Sequence, residues 1–145
     1  MKTKNYFSAL EHHSKKSNIL IGRFQQSTND GLGQFKWGKN TLSISPDNKG
    51  ISRLMIHPER IAISTKAFQG NRTNVFRGVI KQINKRGKKV NITVEVGRSC
   101  LSVRMEFGLF QKLGLIRYQP VYVRLAAEDL STPNDPDLFE LKSAI

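Results

Sequence analysis

The sequence predicts an all-β protein made of two small barrel-like units in tandem, and three observations carry that prediction. Short apolar segments alternate with polar residues at period two, the signature of half-buried strands. Clusters of Gly, Asn, Asp and Ser punctuate them at close intervals, as tight turns require. The same block of strands also occurs twice: Asn18-Ile-Leu-Ile-Gly22-Arg-Phe24 and Asn74-Val-Phe-Arg-Gly78-Val-Ile80 share Asn and Gly at one internal spacing, 56 residues apart.

The elements follow in order. Residues 1–17 are polar and basic and read as a loosely ordered arm. Ile19-Leu20-Ile21 and Gly22-Arg23-Phe24 open the first block, and the turn at Ser27 to Gly31 leads to Gly33-Gln-Phe35-Lys-Trp37. Gly38-Lys39-Asn40 reverses the chain into Thr41-Leu42-Ser43-Ile44, and a second turn cluster precedes Leu54-Met55-Ile56 and Ile61-Ala62-Ile63-Ser64. The second block starts at Asn74. Its cationic run Lys81-Gln-Ile-Asn-Lys85-Arg86-Gly87-Lys88-Lys89 reads as a hairpin tip, and Val90 to Val96 and Leu101 to Met105 alternate on either side of Gly97. Leu109, Phe110 and Leu113 have the spacing of one helical face, and Gly114 would end that helix. Val121 to Leu125 is the final strand, and Ser131 to Asp137 ends ordered structure. Each block closes on an apolar strand and a glutamate, Glu59 or Glu128. The expected units are thus 18–66 and 73–131, flanked by the arm and by a tail over 132–145. Neither has much core alone, so they should pair with each other or with a second chain.

The chain has 145 residues, 24 Lys+Arg against 11 Asp+Glu, and a net charge of +13. The excess is uneven: residues 51–100 carry net +9 and residues 101–145 net −1. No apolar run is long enough to span a membrane. The lone Cys100 excludes an internal disulfide and points to a reducing, cytoplasmic compartment.

Catalysis finds no support. The nearest approach to a phosphate-cradling loop, Trp37-Gly38-Lys39-Asn40, lacks its spacing and hydroxyl. Cys100 has no base near it in sequence and reads as a partly buried structural thiol. His12, His13 and His57 lack metal-ligand spacing. The chain therefore reads as a non-enzyme without cofactor or metal. A small oxyanion is better served: Gly70-Asn71-Arg72-Thr73-Asn74 supplies backbone N–H groups, a hydroxyl and a guanidinium just before a strand. An ordinary polar linker has the same composition.

That joint also carries a family likeness. Residues 72–80, Arg-Thr-Asn-Val-Phe-Arg-Gly-Val-Ile, resemble the opening motif of TOBE/Mop domains of molybdate and tungstate systems. The later order agrees: Val96-Gly97, Leu101-Ser-Val103, a helix ending Lys112-Leu113-Gly114-Leu115, and Ala126-Ala127-Glu128-Asp129-Leu130 after the last strand. Upstream, residues 55–64 look like the Arg-Pro-Glu segment before this motif in the ATP-binding subunits of molybdate-type ABC importers. The family's Thr falls at Glu106, its helix Ser at Leu109, and its last Lys and Ser at Leu125 and Ala127. A carboxylate repels an anion and a missing Lys removes counter-charge, so the likeness carries the fold further than the ligand.

The resemblance implies two OB-like barrel units, the second with one short helix. It implies a regulatory or oxyanion-sensing domain tied to molybdate- or tungstate-type ABC import, without the ATPase itself, either freestanding or a remnant. Molybdate or tungstate would be its ligand, near Arg72, Thr73 and Asn74 with Arg124 in reserve. Its partners would be an importer ATP-binding subunit or further copies of itself. The alternative is a nucleic-acid-binding OB-fold that uses Lys81, Lys85, Arg86, Lys88 and Lys89 against phosphates.

Overall fold

In a computed structural model of the chain, residues 17–25, 32–46, 50–70 and 73–132 are described. Ten strands and one helix occupy them: β1 (Asn18–Ile21), β2 (Arg23–Gln25), β3 (Gly33–Trp37), β4 (Asn40–Ile44), β5 (Arg53–Ile56), β6 (Ala62–Ser64), β7 (Val75–Arg86), β8 (Lys89–Val96), β9 (Ser99–Glu106), α1 (Phe107–Leu113) and β10 (Pro120–Arg124). Two short 3-10 turns, Pro58–Arg60 and Ala127–Asp129, carry Glu59 and Glu128. The proposed arm over 1–17, apart from Ser17, and nearly all of the tail lie outside the described residues.

The sheets repeat one plan. In the second half the strand order is β6-β10-β7-β8-β9; in the first, β1 pairs with β5 and β2-β3-β4 form a meander. Gly22 parts β1 from β2, whereas β7 runs unbroken past Gly78. Each half borrows an edge from the other. β6 lies antiparallel to β10, and Ser131 returns to bridge Met55 of β5, with N–H to carbonyl bonds of 2.7 and 3.0 Å. The segment after each 3-10 turn therefore pairs with the last strand of the opposite half.

Two asparagines lock this exchange. Asn18 accepts from the Ser102 N–H at 2.6 Å and donates to the Ser102 carbonyl at 2.9 Å. Asn74 does the same to Ser43, at 2.7 and 2.9 Å. Both side chains are buried, so each amide satisfies backbone groups that would otherwise be costly to desolvate. The expected pairing of the halves thus runs through the two asparagines that mark the sequence repeat.

Alternation sorts the strands: Val90, Ile92, Val94 and Val96 of β8 face inward, as do Leu101, Val103 and Met105 of β9. With Phe35, Trp37, Leu42 and Ile44 of the first half they form one continuous core. Phe76 sets its ring edge-on to Trp37 across the halves, with centroids 5.6 Å apart. The helix spans the expected residues and stops at Gly114 in the left-handed region, φ 63°. Leu109 departs from expectation. It is exposed, because a seven-residue helix turns only Phe107, Phe110 and Leu113 toward the core.

Two other expectations change. The cationic run is mostly paired strand, and only Gly87 and Lys88 form the turn. A register shift between Ile80 and Gln82 moves the inward position from the even to the odd residues, which hides the strand from a period-two reading. Cys100 is exposed, because alternation in β9 turns Leu101 inward and its neighbour out.

Candidate functional site

The joint between β6 and β7 is closed by local geometry at both ends. The Ser64 hydroxyl donates to the Lys66 carbonyl at 2.6 Å and accepts from the Lys66 N–H at 3.1 Å. At the other end Asn74 adopts φ 58°, a left-handed conformation that asparagine tolerates better than most residues. Its carbonyl accepts from Leu125 N–H at 3.0 Å, which ties the start of β7 to the end of β10.

The four residues proposed for the oxyanion fare differently. Arg72 lies outside the described residues. Thr73 is exposed in the turn. Asn74 is buried with its amide bonded to Ser43, so it positions the turn instead of presenting an amide to solvent. Arg124 is half-buried on β10 opposite Val75, which places it beside the Thr73–Asn74 turn.

Sequence reasoning missed two companions of Arg124. Its guanidinium lies over the Phe68 ring, 5.4 Å from the centroid. Arg77, on the same outer face, lies over Tyr122 at 5.7 Å. The register pairs Tyr122 with Arg77, and period two puts Tyr122 and Arg124 on one side. Among the described residues neither arginine has a carboxylate partner. The face therefore presents two guanidiniums set over aromatic rings beside the Thr73–Asn74 turn, a donor set for a small oxyanion. The signal available beforehand was the alternation of Pro120 to Arg124, which required the β7 register to be read.

The basic hairpin is more fully engaged. Lys81 meets Glu95 at 3.7 Å, and Lys89 meets Glu106 at 3.0 Å and Glu59 at 3.6 Å. Lys85 sits 4.0 Å from the Phe107 ring centroid. Arg86 and Lys88 are exposed without an ion pair among the described residues. The hydrogen bond to Glu106, reinforced by the charges of Glu106 and Glu59, holds the Lys89 ammonium above its ordinary 10.5 despite some desolvation. Phe107 and Phe110 stack on one another with centroids 6.1 Å apart and pack on the core, so they are not free platforms for bases.

Among the described residues no group of His, Cys, Asp and Glu is placed to hold a metal, and no helix is long and apolar enough to cross a membrane.

Among solved structures, the chain is similar to the cytoplasmic molybdate-binding protein ModG in a molybdate-bound crystal form. The TM-score is 0.64 at 10% sequence identity, over 79% of this chain and 93% of that one. No family model matches the sequence, and no curated protein matches it. At this identity the likeness shows the fold: an all-β, Mop/TOBE-like pair of small OB-like units, with one short helix in the second.

Proposed function

We propose that this chain is a non-enzymatic oxyanion-binding domain of the molybdate or tungstate type, acting as a sensor or regulator beside an ABC importer. The observation that carries the reading is the likeness to a molybdate-binding protein over almost that protein's whole length, joined to an outer face with two arginines that have no carboxylate partner among the described residues. The anion would sit at the joint, against Thr73 and Arg124 with Arg77 nearby and Arg72 adding charge, while Asn74 fixes the turn. In this reading 18–66 and 73–131 are the two units, the compartment is the cytoplasm, and the partner is an importer ATP-binding subunit or a further copy.

The hairpin reading, contact with nucleic acid, draws less support. Three of its five cations, Lys81, Lys85 and Lys89, are already held by carboxylates or a ring.

Titration calorimetry of the whole chain with molybdate, tungstate and sulfate tests the proposal. Saturable heat with molybdate or tungstate is expected, weakened about tenfold in Arg124→Gln, as loss of a charge-assisted contact predicts. Absence of heat with every anion would overturn it.

A further inference from the structure

A second polar site lies at the far end of the same sheet's outer face, where β7, β8 and β9 curl against the 3-10 turn of the first half. This groove holds about 470 Å³, within the range of small-molecule sites. Its charged lining is Arg86, Lys89 and Arg104 against the single carboxylate of Glu59. Its neutral lining is Asn84, Asn91, Thr93 and Ser102, which the register sets in cross-strand rows: Asn84 faces Asn91, Asn91 faces Arg104, and Thr93 faces Ser102.

The walls are held in place. Ser102 is gripped by Asn18 through both backbone groups. The Arg104 side chain is only 24% exposed, and its Nε donates to Asn91 Oδ1 at 2.8 Å, which orients the terminal nitrogens without an external ligand. Lys89 is matched from outside the groove by Glu106 at 3.0 Å. Within the groove Glu59 lies 3.6 Å from Lys89 and 3.9 Å from Arg104, long for a charge-assisted bond of about 2.7–2.9 Å, and Arg86 has no ion pair among the described residues. Arg86 stands directly across from Lys89, a like-charge pair that a bound anion would relieve.

We propose that this groove binds the phosphomonoester of a small hydroxyl-bearing molecule. Arg104, Lys89 and Arg86 would contact the phosphate, and the asparagines, Thr93 and Ser102 the hydroxyls. The charged end accounts for the phosphate, and the neutral rows call for more than a bare oxyanion. The Glu59 carboxylate, set between two cations, repels a continuous phosphate backbone and competes with a compact dianion. This site is separate from the joint and does not rest on the molybdate reading.

The test is amide-shift titration of the full chain with ribose 5-phosphate, with ribose and inorganic phosphate as the other probes. Saturable shifts at Asn91, Thr93 and Ser102 are expected with ribose 5-phosphate, with affinity about tenfold weaker for ribose, which lacks the phosphate. Inorganic phosphate should bind more weakly than the ester. Arg104→Gln should weaken ribose 5-phosphate about tenfold, and Arg86→Gln, at an exposed residue the fold does not use, should weaken it severalfold. Glu59→Gln should tighten it, and Arg124→Gln should leave it unchanged, which separates this site from the joint. No saturable shift in the wild-type chain, an affinity indifferent to Arg86 and Arg104, or binding of oligothymidylate at the same amides in preference to the ester would each overturn the proposal.

Discussion

The two halves share a backbone plan and differ in what they place on it. Gly22 and Gly78 occupy matching crossings. A Cβ on Gly22 would meet the Lys36 carbonyl and the Phe35 ring, and one on Gly78 would meet the Val94 side chain and the Glu95 carbonyl. Asn18 and Asn74 make matching clamps on Ser102 and Ser43. The surfaces do not match. Where the first half sets Lys36 across from Arg23, the second sets Glu95 across from Val79 and lets it pair with Lys81. On the strands that carry the joint, the first half shows exposed Ile19 and Ile21, while the second shows Arg77 at the place of Ile21. Residues that close the fold are duplicated, and residues that meet solvent have diverged. The chemistry to look for is therefore in the positions where the halves disagree.

Substituting the paired glycines gives the largest effects. Gly22→Ala drives a methyl hard onto the Lys36 carbonyl and should cost about 3 kcal/mol or more, against about 2 kcal/mol for Gly78→Ala. There the methyl also meets backbone, but the Glu95 carbonyl stands farther off, at 2.8 Å, beside a Val94 methyl at 2.7 Å. Urea unfolding measures both, and equal midpoints would mean that the two crossings are the same.

The clamps come next. Asn18→Ala should cost about 2 kcal/mol by stranding both backbone groups of Ser102. Asn74→Ala should cost about 1 kcal/mol more, because alanine must also adopt the left-handed φ of 58°. Asn74→Gly keeps that conformation without strain, so it should fall to the level of Asn18→Ala. If Asn74→Gly and Asn74→Ala unfold at the same midpoint, the left-handed turn carries no cost.

These pairs also show how much was legible beforehand. The Asn and Gly repeat, the strand alternation and the Gly114 stop all appear in the sequence, because each reflects a local requirement of the backbone. The β7 extension was hidden by a one-residue register shift. The exchange of β6 and Ser131 between halves leaves no local trace, because a strand of three residues reads the same beside either neighbour. At the joint, Thr73, Asn74 and Arg124 were readable from composition and likeness. Arg77 and Phe68 were not, since their nearness to the joint depends on pairing and packing between separate segments.

Charge exchange should move stability least. Lys36→Glu in the first half copies the second half's carboxylate and removes a like-charge pair with Arg23, so it should stabilise by about 0.5 kcal/mol in low salt and fade as salt screens it. A destabilisation would show that Lys36 has a role the comparison misses. Alkaline titration gives the smallest effect. Because the folded state holds Lys89 above 10.5, its contribution is fully present below that value and is lost as pH rises through the folded pKa. Lys89→Met should flatten that alkaline loss without changing the profile near neutrality.

The central claim is that the second half's outer face, where its charges depart from those of the first, seats an oxyanion. Anomalous diffraction from a crystal of the whole chain grown with tungstate tests this most directly, because tungsten locates the anion without assumptions about its contacts. The account predicts a tungsten peak within hydrogen-bonding reach of Arg124 and the Thr73–Asn74 turn. Tungsten bound only elsewhere, or no ordered peak, would contradict it.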